Sequence, residues 1–167
     1  IVSLLPSATE IVDVVGARAG LVGVSHECDH PAGVETLPRL TRVRTELPRP
    51  SALIDAEVRK ILEGALTVYE VDVDGLREAR PDGIVTQDLC DVCAVSIDDV
   101  RKALAEAVEA NAEIVSLSPT RLGDVWNDVR AVGSALGRAE DGERAAADLE
   151  RRIAELGART AALAPRP

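Results

Sequence analysis

Short apolar runs alternate along the chain with stretches in which apolar side chains recur every three or four positions. Residues 1–5, 21–25, 67–71, 83–87 and 113–117 read as buried strands. Between them lie helical patterns. Ser7-Ala8-Thr9-Glu10 has the form of a capping box, in which the Ser7 hydroxyl accepts the third helical N–H and Glu10 reaches back. Ile11, Val14 and Val15 supply its apolar face, and Gly16 suits a left-handed stop. Residues 26–50, rich in proline and charge, read as a loop-dominated excursion, followed by a short helix from Ser51 or Asp55 to residue 62. A short helix is expected over 74–79. A longer one runs from a Ser96 cap to residue 110, with Val100, Leu104, Ala107 and Val108 inward. Residues 121–136 form another, stopped at Gly137.

Strands separated by helices require crossovers, which are right-handed and build a parallel sheet covered on both faces. The expected fold is therefore α/β, with a parallel sheet of about four to five strands. In such a sheet ligands sit beyond the carboxyl ends of the strands. Four loops meet there: Pro6-Ser7, residues 25–30, residues 87–95 and Ser118-Pro119. The tail differs from the rest. Leu149, Ile153, Leu156, Thr160 and Leu163 form a narrow apolar stripe on a long charged helix. It either packs on its own sheet or connects to a partner outside this sequence. The division is an α/β lobe over residues 1–138 and a helical segment over 139–167.

Composition narrows the function. The 167 residues carry 19 Lys plus Arg against 29 Asp plus Glu, a net charge of −10. That balance argues against a binder of nucleic-acid backbones. No apolar run reaches the length of a membrane span. Tyr69 and Trp126 are the only aromatic residues, so the core is aliphatic and stacking platforms are scarce. Three cysteines are too few for a disulfide framework.

Reactive side chains concentrate in two segments. Ser25-His26-Glu27-Cys28-Asp29-His30 holds both histidines, and Gln87-Asp88-Leu89-Cys90-Asp91-Val92-Cys93 holds a Cys-x-x-Cys pair. Imidazole and thiolate suit a transition metal, with His26, Cys28, Cys90 and Cys93 as candidate ligands. The same cysteines are open to two other readings, a thiol or redox site at Cys90 and Cys93, or small buried thiols shaping loops. Asp88 and Asp91 beside the pair would raise its thiol pKa, against redox use. Arg39, Arg42, Arg44 and Arg49 are either an anion-binding cluster or a solvated loop offsetting Glu35 and Glu46.

Three stretches together resemble a known family. Ile1-Val2-Ser3-Leu4-Leu5-Pro6-Ser7-Ala8-Thr9-Glu10, then Leu21 to Ser25 with Asp29 and Pro31, then Pro81-Asp82-Gly83-Ile84-Val85 look like the N-terminal lobe of helical-backbone substrate-binding proteins of ABC importers. Thr86 to Ala94 resembles a motif of the cobalamin-binding branch. The resemblance implies a Rossmann-like lobe joined by a long backbone helix to a second lobe that this chain lacks. It implies a non-catalytic protein that binds cobalamin or a related corrinoid between the lobes. A transition metal, haem or ferric-siderophore chelate is the alternative ligand. The implied partners are that small molecule and a membrane permease, with no nucleic acid and no required oligomer. The implied location is extracytoplasmic, periplasmic or lipid-anchored; a cytoplasmic thiol protein is the other class. By position, the ligand-facing residues are Pro6, Ser7, Ser25, His26, Glu27, Asp29, Gln87, Asp88, Leu89 and Cys90, and the permease-docking acids are Asp72 and Asp74. Against an ordinary corrin cradle stands the shortage of aromatic residues, with His30 where a tyrosine is often seen.

Overall fold

The computed structural model describes residues 1–43, 69–87, 97–107 and 112–161. In chain order its elements are β1 (Val2–Ser3), α1 (Pro6–Val14), β2 (Gly23–Val24), β3 (Thr41–Val43), β4 (Tyr69–Val71), α2 (Val73–Ala79), β5 (Gly83–Gln87), α3 (Ile97–Ala107), β6 (Glu113–Leu117), α4 (Leu122–Ala135) and α5 (Ala139–Ala161). Single 3-10 turns lie at Arg18–Gly20 and Val34–Thr36.

Four strands form one parallel sheet in the order β2-β1-β5-β6. Val2 and Ser3 pair with Gly23 and Val24 on one side and with Ile84 and Val85 on the other. Because successive side chains on a strand point to opposite faces, β1 and β5 feed two separate cores. Val85 packs with Leu5, Ala8, Val12, Val15 and Leu21 from the first crossover and with Val129 and Val132 of α4. Ile84 and Val2 pack on the other face with Leu40, Leu76, Val100 and Ala103. The β5 and β6 boundaries coincide with those expected from the apolar runs.

Two sequence expectations change. The first concerns the capping box. α1 starts at Pro6, with Leu5 in the N-cap position and no side-chain cap. Proline at the first helical position has no N–H to satisfy and a preset φ. Ser7 is therefore one residue inside the helix and exposed, while Thr9 turns inward. The second concerns residues 67–71. Their described part, β4, leaves the parallel sheet and pairs antiparallel with β3, a strand from the segment read as loop. Arg42 and Glu70 face each other there as an ion pair. Residues 38–40 run beside β2: Val24 N–H donates to Pro38 O at 3.0 Å, and Leu40 N–H donates to Val24 O at 2.8 Å. Asp72 N–H in turn donates to Leu40 O at 2.9 Å, so the ribbon hangs on the sheet edge. The expected helix over 51–62 and the Ser96 cap lie outside the described residues.

Gly16 and Gly137 adopt φ of 73° and 68°, the left-handed stops expected of them. α4 and α5 meet closely at Gly133 and Gly142. A Cβ on Gly133 would lie 2.8 Å from Gly142 Cα. Arg130 ties the same pair of helices, its Nε donating to Glu143 Oε2 at 2.7 Å and its Nη2 to Glu150 Oε1 at 3.0 Å. The 23 residues of α5 span about 35 Å at the helical rise. Only its first half packs on the lobe: Gly142 and Ala146 are buried, Leu149 is half-buried, and every residue from 150 to 161 is exposed. Ile153 and Leu156 are 42% and 50% exposed. Among the described residues no helix is long and apolar enough to cross a membrane.

Candidate ligand-binding edge

The loop after β2 is the best-defined feature at the carboxyl edge of the sheet. Ser25 is buried at its root, and Thr41 of β3 approaches from the side. Thr41 Oγ1 donates to Ser25 Oγ at 3.1 Å and accepts the His26 backbone N–H at 3.0 Å. His26 Nδ1 lies 2.7 Å from the same hydroxyl oxygen. Arg39 is turned into this loop, its Nη1 donating to the carbonyls of Ser25 at 2.8 Å and Cys28 at 2.5 Å. Arg39 therefore spends its guanidinium on loop carbonyls, and Arg42 is paired with Glu70. Arg44 and Arg49 of the anticipated cluster lie outside the described residues.

Tyr69 stands against His26. The ring centroids are 5.2 Å apart with planes tilted by 50°, and the Tyr69 hydroxyl donates to Glu27 Oε1 at 3.3 Å. Sequence reasoning missed this juxtaposition, because Tyr69 is 43 positions from His26 and arrives through the β3–β4 ribbon. The missed signal was short: the Thr41-Arg42-Val43 alternation inside an apparent loop. The scarcity of aromatic residues near the edge is thus relieved by one ring.

Cys28 has the opposite orientation. It is 1% exposed and packs among the α1 core residues. Its Sγ lies 3.0 Å from Thr9 Oγ1, which itself donates to Ser3 Oγ at 2.8 Å. Burial pushes the thiol above its ordinary range, outweighing the Thr9 and Ser25 hydrogen bonds that favour the thiolate. A metal ligand needs the thiolate. Among the described residues no three His, Cys, Asp or Glu side chains converge on one point. Asp88, Leu89, Cys90 and Cys93 lie outside the described residues.

The remaining candidates take up distinct places. Pro6 is half-buried and Ser7 exposed at the end of β1; Glu27 and Asp29 are exposed, and Gln87 is half-buried at the end of β5. Thr86 beside it is fully buried, and its Oγ1 has no partner among the described residues. Asp72 caps α2, accepting the Gly75 N–H at 3.1 Å. Asp74 is exposed in the first turn of that helix and paired with Arg77. The edge as a whole offers hydroxyls, the His26 imidazole, the Tyr69 phenol and carboxylates around an open surface, with His30 exposed farther along the same loop. That set can hold a polar ligand and can donate one nitrogen to a metal.

No family model matches this sequence, and it has no significant similarity to a curated protein. Solved structures do match its fold. The periplasmic vitamin B12 binding protein of Vibrio cholerae superposes with a TM-score of 0.68 at 20% identity, over 98% of this chain and 51% of its own. A periplasmic heme-binding protein from Roseiflexus gives 0.68 at 21% identity, over 99% and 51%. A siderophore binding protein, solved with ferric iron and two molecules of acinetobactin, gives 0.60 at 10% identity, over 99% and 49%. The chain thus has the fold of one half of periplasmic binding proteins for B12, heme and siderophores, and spans about half their length.

Proposed function

We propose that this chain is the N-terminal lobe of an extracytoplasmic solute-binding protein that captures cobalamin or a related corrinoid and hands it to an ABC permease. The observation that carries this reading is that nearly the whole chain matches one half, and only one half, of binding proteins of this type. Residues 1–138 are the ligand-facing lobe, and 139–167 are the helix leading to a second lobe. The exposed Ile153 and Leu156 on α5 agree with that role. Ligand lies against Pro6, Ser7, Ser25, His26, Glu27, Asp29, Gln87, Asp88, Leu89 and Cys90. No chemistry is performed; the lobe contributes shape and hydrogen bonds, and closure against its partner buries the ligand. Asp74, outward on α2, is the docking acid for the permease, whereas Asp72 serves its helix as a cap.

A haem or ferric-chelate ligand is the second reading, favoured by the equal superposition on the heme-binding protein from Roseiflexus. Calorimetric titration of the full-length gene product with cyanocobalamin, hemin and a ferric siderophore separates the readings. Binding of cyanocobalamin at micromolar or tighter Kd, with hemin silent, is expected. Heat with hemin alone replaces the corrinoid by haem, and silence with all three removes the proposal.

A further inference from the structure

Residues 25–28 form a turn, closed by the Cys28 N–H donating to Ser25 O at 3.1 Å. Its two ends are sunk in the protein, with Ser25 3% and Cys28 1% exposed. His26 and Glu27 are the corner residues, the first half-buried and the second exposed. Arg39 spans this turn from behind. Its Nη1 donates to Ser25 O at 2.8 Å and to Cys28 O at 2.5 Å, the carbonyls at the two ends. The Ser25 carbonyl thus uses both lone pairs, one on the turn and one on the guanidinium. Hydrogen bonds from a charged donor are roughly twice as strong as neutral ones, so the guanidinium adds more to the turn than its own closing bond.

The side chain of Arg39 is not what attaches its own segment to the sheet. The backbone does that on either side, with Val24 N–H donating to Pro38 O and Leu40 N–H to Val24 O. Leu40, 1% exposed, anchors the same segment in the core beside Val2 and Leu76. Arg39 is half-buried, and a charge drawn out of water is costly unless its hydrogen bonds are remade. Here the two carbonyls of the turn remake them.

We infer that Arg39 is a positioning residue, whose guanidinium fixes the 25–28 turn before ligand arrives and so presents His26 and Glu27 in one arrangement. Arg39 itself stands outside the ligand-facing set, and its role rests on the proposed binding role, in which the two corner residues meet the ligand. A turn already in its bound shape has little left to order on binding. Loss of the clamp therefore appears as weaker binding and as an opened turn in the unliganded protein.

The test uses the full-length gene product and whichever of cyanocobalamin, hemin and a ferric siderophore it binds. Arg39→Ala is expected to weaken that ligand about tenfold in calorimetry. Arg39→Lys, which keeps the charge but not the planar guanidinium, is expected to lose about threefold. Hydrogen exchange reads the turn directly, because its amides are bonded: His26 to Thr41 Oγ1, Glu27 to Ser25 Oγ and Cys28 to Ser25 O. In unliganded Arg39→Ala these three are expected to exchange about tenfold faster, with β5 amides at wild-type rates. Saturating ligand restores their protection. Unchanged affinity, unchanged exchange at 26–28, or equal acceleration in β5, as a purely stabilising side chain would give, overturns this inference and leaves the binding role standing. If Arg39→Ala does not fold, Arg39→Lys decides by the same readings. Failure of the wild-type protein to bind any of the three removes the binding role, and this inference with it.

Discussion

Cys28 shows how a reactive side chain in a motif-like segment can belong to the core. Its neighbours His26 and Asp29 are partly or fully exposed, yet the thiol sits under α1, bonded to Thr9. Because burial raises its pKa, the folded state holds the thiol proton more tightly than the unfolded chain, where it leaves near about 8.5. The resulting stability is complete below that value and is lost as pH rises above it. Denaturant midpoints measured from pH 7 to 10 are expected to fall, with a shallower fall in Cys28→Ala. Alkylation of Cys28 at neutral pH is expected to proceed only through unfolding. His26 itself was legible as a candidate, but not its partners. Thr41 and Tyr69 are 15 and 43 positions away, a separation at which no local pattern carries information about contact.

Helix ends and helix contacts follow local chemistry where the chain supplies it. Asp124 caps the start of α4 by accepting the N–H of Thr120 and Arg121 and the Thr120 hydroxyl. These donors hold its carboxyl below the usual range. Its contribution is therefore fully present above the unfolded carboxyl pKa of about 3.9 and is lost as pH falls from there through the lower folded value. Asp124→Ala is expected to lower the midpoint at pH 7 and to flatten the acid limb of a thermal-stability profile. Closer to the core, Gly133→Ala places a methyl against the backbone of Gly142 and Arg138. A loss of about 1–3 kcal/mol is expected in urea unfolding, the range for overpacking. Gly157→Ala is the contrasting case. Its Cβ meets nothing within 4 Å in α5, so a gain of about 0.5–1 kcal/mol from helix propensity is expected. The capping box at Ser7 was misread for a comparable reason. The pattern of residues was right, but Pro6 moved the start of the helix by two positions.

At the scale of the molecule, the described residues form two packed cores, and α5 stands open along its second half. Replacing Ile153 and Leu156 together by Lys is expected to leave the unfolding free energy of this chain within about 0.5 kcal/mol, as for other surface changes. In the full-length product the same pair is expected to lower the melting temperature and weaken ligand binding, if α5 carries a second lobe. Equal melting temperatures there would count against α5 as a connecting helix. The alternation of apolar runs with helical periodicity was enough for the parallel α/β sheet, because buried strands and amphipathic helices have only a few ways to cover one another. It also brought the loops of the candidate edge together, since the carboxyl ends of parallel strands lie together by topology. Glycine stops and the limits of β5 and β6 were equally readable, each being set by residues within a few positions. Tertiary structure alone decided that Thr41, Ser25, His26 and Tyr69 form one cluster, that Cys28 turns away from it, and that β3 and β4 make a ribbon outside the sheet. Those choices depend on how far side chains reach across elements distant in sequence, and packing rather than local propensity makes them.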